Sequence, residues 1–234
     1  MKARLIGSRE IGPNTRHFEF EAVDWSAAFV PGQFLSLTHW FGQNEITRAY
    51  SIASPPNGRR FALCANLVPD GHFSPFLFRM APGAEMEFKG PYGAFILRRP
   101  VSDSILVATG TGIAPFRSML HTKLSEHGKL SEQAEPHFTL IFGVRHESGL
   151  LYHDEWTQLD RAAPNFDYLP TLTRPTHTWT GLAGRVHDHV LQTLGERRDV
   201  DIYICGLREM VDELRARLKE IGVERKRMIY EKYD

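Results

Sequence analysis

The sequence predicts two folds in one chain, an N-terminal antiparallel β-barrel over residues 1–99 and a C-terminal α/β domain with a parallel sheet over residues 100–234. Three observations carry this. The first hundred residues hold short apolar runs, several of them alternating, separated by Pro/Gly turns, as in all-β domains. Beyond Arg98-Arg99-Pro100 the runs become continuously apolar, the pattern of strands buried on both faces. Amphipathic stretches lie between those later runs, giving the strand–helix–strand order of a parallel sheet wrapped by helices. A chain of 234 residues has room for two domains of ordinary size.

Taken in order, His17–Glu21 alternates, Phe34–Leu37 and Phe61–Ala65 are strand candidates, and Glu85–Lys89 alternates again. Pro31-Gly32, Pro55-Pro56-Asn57-Gly58, Pro82-Gly83 and Gly90-Pro91 supply the turns. Ser74–Met80 is the one helix candidate of this half, with Ser74 expected as its N-cap. In the second half, Ser104–Ala108, His137–Phe142, Tyr168–Leu172 and Asp201–Cys205 read as buried strands. Met210–Ile221 carries Val211, Leu214, Leu218 and Ile221 at helical spacing, with Gly222 placed to cap it. A polar loop is expected from Glu126 to Pro136.

Composition removes several function classes. Lys plus Arg and Asp plus Glu number 28 each, so no net charge draws the chain to nucleic acid or to a membrane surface. No apolar run approaches the roughly 20 residues of a membrane span. The start MKARLIGSRE lacks the apolar core of a secretory signal, so a cytoplasmic location is expected. Cys64 and Cys205 are the only cysteines, too few for a four-cysteine iron–sulfur cluster. His187 and His189, two apart, point to different faces of a helix, and no metal site is expected.

The chemistry begins at Gly110-Thr111-Gly112-Ile113-Ala114-Pro115, which follows the first buried strand. Two glycines let backbone approach a ligand, and Pro115 suits a first helical turn. Free N–H groups at such a turn favour a pyrophosphate. Pro115 occupies the third glycine's place in the G-x-G-x-x-G pattern, so the loop alone fits either a phosphate cradle or a plain strand-to-helix turn.

Six motifs in sequence narrow the choice: Arg48-Ala49-Tyr50-Ser51, Gly71-His72-Phe73-Ser74, Gly90-Pro91-Tyr92-Gly93, the Gly110–Pro115 loop, Cys205-Gly206, and Glu231-Lys232-Tyr233. In this order the chain resembles the ferredoxin–NADP⁺ reductase superfamily, most closely the compact bacterial reductases without a fused iron–sulfur or haem domain. The resemblance implies an FAD-binding barrel and an NAD(P)H-binding α/β domain. It implies that Arg48 pairs with the FAD pyrophosphate, with Ala49 between it and Tyr50, which lies against the flavin ring; Ser51 bonds near flavin N5. Gly71 to Ser74 would hold the rest of the pyrophosphate, with His72 and Phe73 near the flavin or its tail. Gly110, Thr111, Gly112 and Pro115 would bound the coenzyme pyrophosphate. Cys205, followed by Gly206, would sit beside nicotinamide C4, Glu231 would position the nicotinamide, and Tyr233 would cover the open flavin face, although Asp234 follows it. Ser51, Cys205 and Glu231 are thus the expected catalytic set.

Thr173-Arg174 occupies the place of the family's Ser-Arg pair for the 2′-phosphate of NADPH, and Arg185 and Arg145 would add charge. NADP(H) is therefore favoured, although Pro175, Trp179 and Gly181–Gly184 look like relatives that use NADH. Electrons would leave to a separate carrier, ferredoxin or flavodoxin, from a monomer or weak dimer. Arg98-Arg99, Arg197-Arg198 and Arg225-Lys226-Arg227 either steer such an acidic carrier or are simply solvated. The competing readings are an NADH-dependent electron-transfer component of an oxygenase system and a non-enzymatic redox sensor on the same fold.

Overall fold

A computed structural model describes residues 1–26, 28–125 and 135–233. Asp234 and most of the Glu126–Pro136 loop lie outside the described residues. The chain divides into two compact units, Met1–Leu97 with Ala114–His127, and Arg98–Ile113 with Gly128–Asp234.

In the first unit, strands β1 (Lys2–Gly12), β2 (Thr15–Ala22), β3 (Phe34–Phe41), β4 (Asn44–Ser51), β5 (Arg60–Asn66) and β6 (Glu85–Tyr92) form one antiparallel sheet in the order β4-β3-β6-β1-β2-β5. An antiparallel bridge between Ile52 and Leu63, with Ala53 N–H donating to the Ala62 carbonyl at 2.7 Å, joins the end of β4 to β5 and rounds the sheet into a barrel. Alternation supplies the core: Leu5, Phe18, Phe20, Leu35, Leu37, Phe61, Leu63 and Phe88 all point inward. Phe20 and Phe61 stack at 5.5 Å, and Trp25 sets its edge against Phe61 and Phe88. Such pairs each add about 0.5–1.5 kcal/mol beyond burial. Helix α1 (Phe73–Arg79) lies on this unit, burying Phe73 and Leu77. Helix α2 (Ile113–Leu124), from the second half of the sequence, groups with the first unit from Ala114 onward. Its Arg117 and Ser118 donate to the carbonyls of Ala53 and Ser54 at 2.6 Å.

In the second unit, β7 (Ser104–Thr109), β8 (Phe138–Val144), β9 (Phe166–Leu172), β10 (Leu182–Ala183), β11 (Asp201–Leu207) and β12 (Met228–Tyr233) form a parallel sheet, β10-β9-β8-β7-β11-β12. The chain runs outward from β7 to β10 and then returns to β11 on the other side of β7. Strand order therefore switches at β7 and β11, the position where open parallel sheets bind ligands at their carboxyl ends. Helices α4 (Val186–Leu194) and α5 (Arg208–Glu220) bury Val186, Val190, Val211, Leu214 and Leu218 against Ile105, Val107, Ile141, Ile202 and Ile204. Helix α3 (His153–Ala162) sets Trp156 beside Phe166 and Tyr168 of β9. Gly222, at φ +88°, ends α5 as expected: its N–H reaches the Lys219 carbonyl, and the Val223 N–H reaches Leu218.

Candidate functional site

In the first unit the Arg48–Ser51 motif ends an edge strand. Residues two apart share a face, so Arg48 and Tyr50 project together while Ala49 and Ser51 project the other way. Arg48 is exposed; its Nη1 donates to the Thr47 carbonyl at 2.8 Å, and no ion pair claims it among the described residues. Tyr50 is half-buried against the barrel core, its ring 6.1 Å from that of Phe73. Burial pushes its phenol up to about 12, with Arg48 pulling weakly the other way. Ser51 is buried opposite Phe34.

Gly71 to Ser74 lead into α1 from the turn below it, but Ser74 is not the cap. The N-cap is His72, without a side-chain cap bond, and the helix starts at Phe73. The Ser74 hydroxyl instead accepts the Val68 N–H at 2.9 Å and faces the Val68 carbonyl, tying the helix to the preceding turn. A cap hydroxyl must stand outside the helix to reach N–H groups within it; Ser74 is one residue too deep.

In the second unit, Gly110–Gly112 form a 3₁₀ turn that passes directly into α2, with Pro115 in its first turn. Gly110 takes φ +53°. A Cβ on Gly112 would lie 2.3 Å from the Cys205 carbonyl oxygen, and one on Gly206 would lie 2.2 Å from Thr109 Oγ1. The loop after β7 and the end of β11 thus pack backbone to backbone at the switch point, and only glycine permits it. Thr109, at the end of β7, has a buried hydroxyl with no hydrogen-bond partner among the described residues. The sequence reading overlooks it; a polar residue closing an apolar run just before Gly110 is the signal available.

Across the same sheet, β12 places Glu231 opposite Cys205 and Lys232 opposite Gly206. Cys205 is fully buried; burial first, then the Glu231 charge, push its thiol well up, while a hydrogen bond from Tyr233 opposes this. Lys232 and Tyr230 face the other way, onto α5. Lys232 Nζ pairs with Asp212 at 2.6 Å, and the Arg215 guanidinium sits 3.7 Å above the Tyr230 ring.

At the far side of the sheet, the Arg174 N–H donates to the Arg145 carbonyl at 2.8 Å, and the Thr173 N–H to Val144 at 3.0 Å. These bonds hold the backbone beyond β9 against the backbone beyond β8; both arginines are exposed, neither with an ion-pair partner among the described residues. Arg185 differs. It precedes α4 and pairs with Glu213 at 3.2 Å, and Glu213 also accepts from Arg217. Four residues of the basic clusters are similarly occupied: Arg197 faces Asp103, Arg198 donates to the carbonyls of Gly195, Arg197 and Ile221, Lys226 pairs with Glu224, and Arg227 with Asp201. No group of three or more metal-ligating side chains occurs among the described residues, and no helix there is long and apolar enough to cross a membrane.

Comparison with known proteins matches two domains of one family. Residues 2–96 match the oxidoreductase FAD-binding domain and residues 106–216 the oxidoreductase NAD-binding domain. The whole chain is 38% identical to ferredoxin–NADP reductase B of Sorangium cellulosum, covering 100% of this chain and 97% of that one. The chain belongs to the ferredoxin–NADP reductase superfamily. Within it, the chain is also 32% identical to the toluate 1,2-dioxygenase electron transfer component of Pseudomonas putida, over 99% of this chain and 67% of that one. A ferredoxin–NADP⁺ reductase from Neisseria gonorrhoeae, crystallised with FAD and NADP, shares the fold at TM-score 0.82 and 23% identity, over 99% and 98% of the two chains.

This reductase is an oxidoreductase of two cofactor-binding domains, one for FAD and one for a nicotinamide nucleotide. Its residues fit both groups. Arg48 offers an exposed guanidinium, without an ion pair among the described residues, on an edge strand beside the half-buried Tyr50 ring. The glycine cradle of Gly112 and Gly206 and the unpartnered Thr109 hydroxyl meet at the sheet's switch point.

Proposed function

We propose that the enzyme takes hydride from NADPH onto FAD and passes the electrons to a separate small carrier of the ferredoxin or flavodoxin type. The observation that carries the NADPH reading is Arg174 with Arg145, two exposed arginines without ion-pair partners among the described residues, on segments whose backbones are joined by a hydrogen bond. A 2′-phosphate is a dianion that guanidinium forks grip well, and NADH lacks it. FAD, when bound, supplies the step between a two-electron donor and carriers that accept one electron at a time.

The protein's part is to bind, orient and exclude. Arg48 neutralises flavin pyrophosphate, Ala49 keeps that face of the strand small, and Tyr50 offers its ring to the flavin. Gly71, His72, Phe73 and Ser74 shape the approach at the start of α1. Gly110, Thr111, Gly112 and Pro115 hold the coenzyme pyrophosphate, and Thr109 donates to the nicotinamide end. Ser51 hydrogen-bonds at the hydride-accepting nitrogen. Cys205 and Gly206 floor the nicotinamide site; the Cys205 thiol stays protonated and acts by shape. Glu231 accepts from the carboxamide, while Tyr233 shields what the nicotinamide leaves open. Buried free thiols suit a reducing cytoplasm.

The purified protein should be yellow and bleach anaerobically with NADPH. A colourless protein that takes up no FAD would overturn the enzyme reading. Arg174→Ala should lower kcat/KM for NADPH at least tenfold relative to NADH, the loss of about one charge-assisted contact. A specific observation favours the second reading, an NADH-using component of an oxygenase system: Arg185 is already committed to Glu213. If Arg174→Ala leaves the coenzyme ratio unchanged, that reading takes its place.

A further inference from the structure

The segment carrying Arg174 is held at successive points by the three residues that follow β8. The Arg145 carbonyl accepts the Arg174 N–H at 2.8 Å, and His146 Nδ1 lies 2.8 Å from the Arg174 carbonyl oxygen. Glu147 completes the set. Its Oε1 accepts both the N–H of Thr176, at 2.8 Å, and the Thr176 hydroxyl, at 2.6 Å. Between these points stands Pro175, which has no N–H to offer. Thr176 Oγ1 also lies 2.9 Å from Thr178 Oγ1, carrying the restraint onward.

A carboxylate on the segment that would read a 2′-phosphate repels that dianion, so its presence calls for another role. The two bonds from Thr176 engage its oxygen and hold the Glu147 carboxyl below the usual carboxylate range. A long, exposed arginine has many rotamers, and fixing its backbone on both sides removes part of the ordering cost when it grips an anion. We propose that Glu147 is a positioning residue for Arg174, and that the Glu147–Thr176 clamp makes the enzyme discriminate between coenzymes with and without a 2′-phosphate. This deepens the NADPH reading and rests on it.

The test uses full-length, FAD-loaded enzyme with calorimetric titration of NADP⁺ and NAD⁺, alongside the NADPH to NADH ratio of kcat/KM. E147A should weaken NADP⁺ about tenfold more than NAD⁺, the loss of one charged anchoring contact. E147Q keeps an acceptor oxygen for both Thr176 donors and should retain most of the discrimination. T176V, which removes only the hydroxyl contact, should fall between them and serves if E147A does not fold. An unchanged NADP⁺ to NAD⁺ ratio in E147A, or a rise from relief of repulsion, would overturn the clamp. E147Q as impaired as E147A would do the same. R174A separates the layers: if it leaves the ratio intact, the NADPH reading falls and takes the clamp with it. If R174A lowers the ratio and E147A does not, only the clamp fails.

Discussion

Both units end a sheet on a strand that carries a motif, and the two strands are treated in opposite ways. β4, at the edge of the barrel sheet, is exposed along most of its length and leaves the Arg48 charge without an ion partner among the described residues. β12, at the edge of the parallel sheet, is pinned by α5 through Lys232–Asp212 and Tyr230–Arg215, while Glu231 faces Cys205. An edge strand has backbone and side chains free on one flank, which makes it available to a ligand. The barrel leaves that freedom to the cofactor. The second unit spends part of it on its own helix, because Glu231 must stand at a fixed distance from a buried neighbour.

If that contrast is right, β4 substitutions should act on cofactor binding and β12 substitutions on stability. The largest effect is expected from Arg48→Ala, which should weaken FAD about 10- to 100-fold by equilibrium dialysis while leaving the melting temperature of the FAD-free protein unchanged. A fall in that melting temperature would break the comparison, because it would mean β4 is a structural strand after all. A smaller effect concerns Tyr50, whose phenol is pushed up to about 12 from an ordinary value near 10. A raised native value means the folded state holds its proton longer, so this contribution is complete below about pH 10 and is lost as pH rises towards 12. Urea titrations between pH 9 and 12 should show about 1 kcal/mol of this decline, discounted for the ring's partial exposure, and Tyr50→Phe should remove it. The smallest effect is expected from Asp212→Ala. The pair it breaks is half-exposed, so the urea midpoint should fall only slightly, with FAD affinity unchanged.

Much of the second unit can be read from the chain because strands buried on both faces must be apolar throughout; Ser104–Ala108 and Asp201–Cys205 lie within β7 and β11. Four strands escape such reading, each for its own reason. β10 is only Leu182–Ala183, too short to show a pattern. β1 pairs out of step at Leu5/Gly7 and Glu10/Gly12, which breaks its alternation. β4 carries Asn44, Glu45, Thr47 and Arg48, an edge composition with little apolar signal. β12 mixes Glu231 and Lys232 into a strand at the chain's end, where fraying is the usual expectation. At the site, motif residues are legible one by one, but their adjacency is not. That the Arg174 N–H reaches the Arg145 carbonyl depends on how the chain runs beyond β8 and β9, and that Ser74 binds Val68 depends on where α1 starts. Thr109 and Glu147 gain significance only from the partners they lack or hold.

The mutual fit of Gly112 against Cys205 and of Gly206 against Thr109 couples two stretches nearly a hundred residues apart in sequence. Neither can drift alone: a side chain added to one must be answered by backbone movement in the other. The arginine turn at the far edge carries no such interlock, since its contacts run through side chains and backbone hydrogen bonds. Substitutions in that turn can therefore be accommodated locally, while Gly112 and Gly206 must change together or not at all.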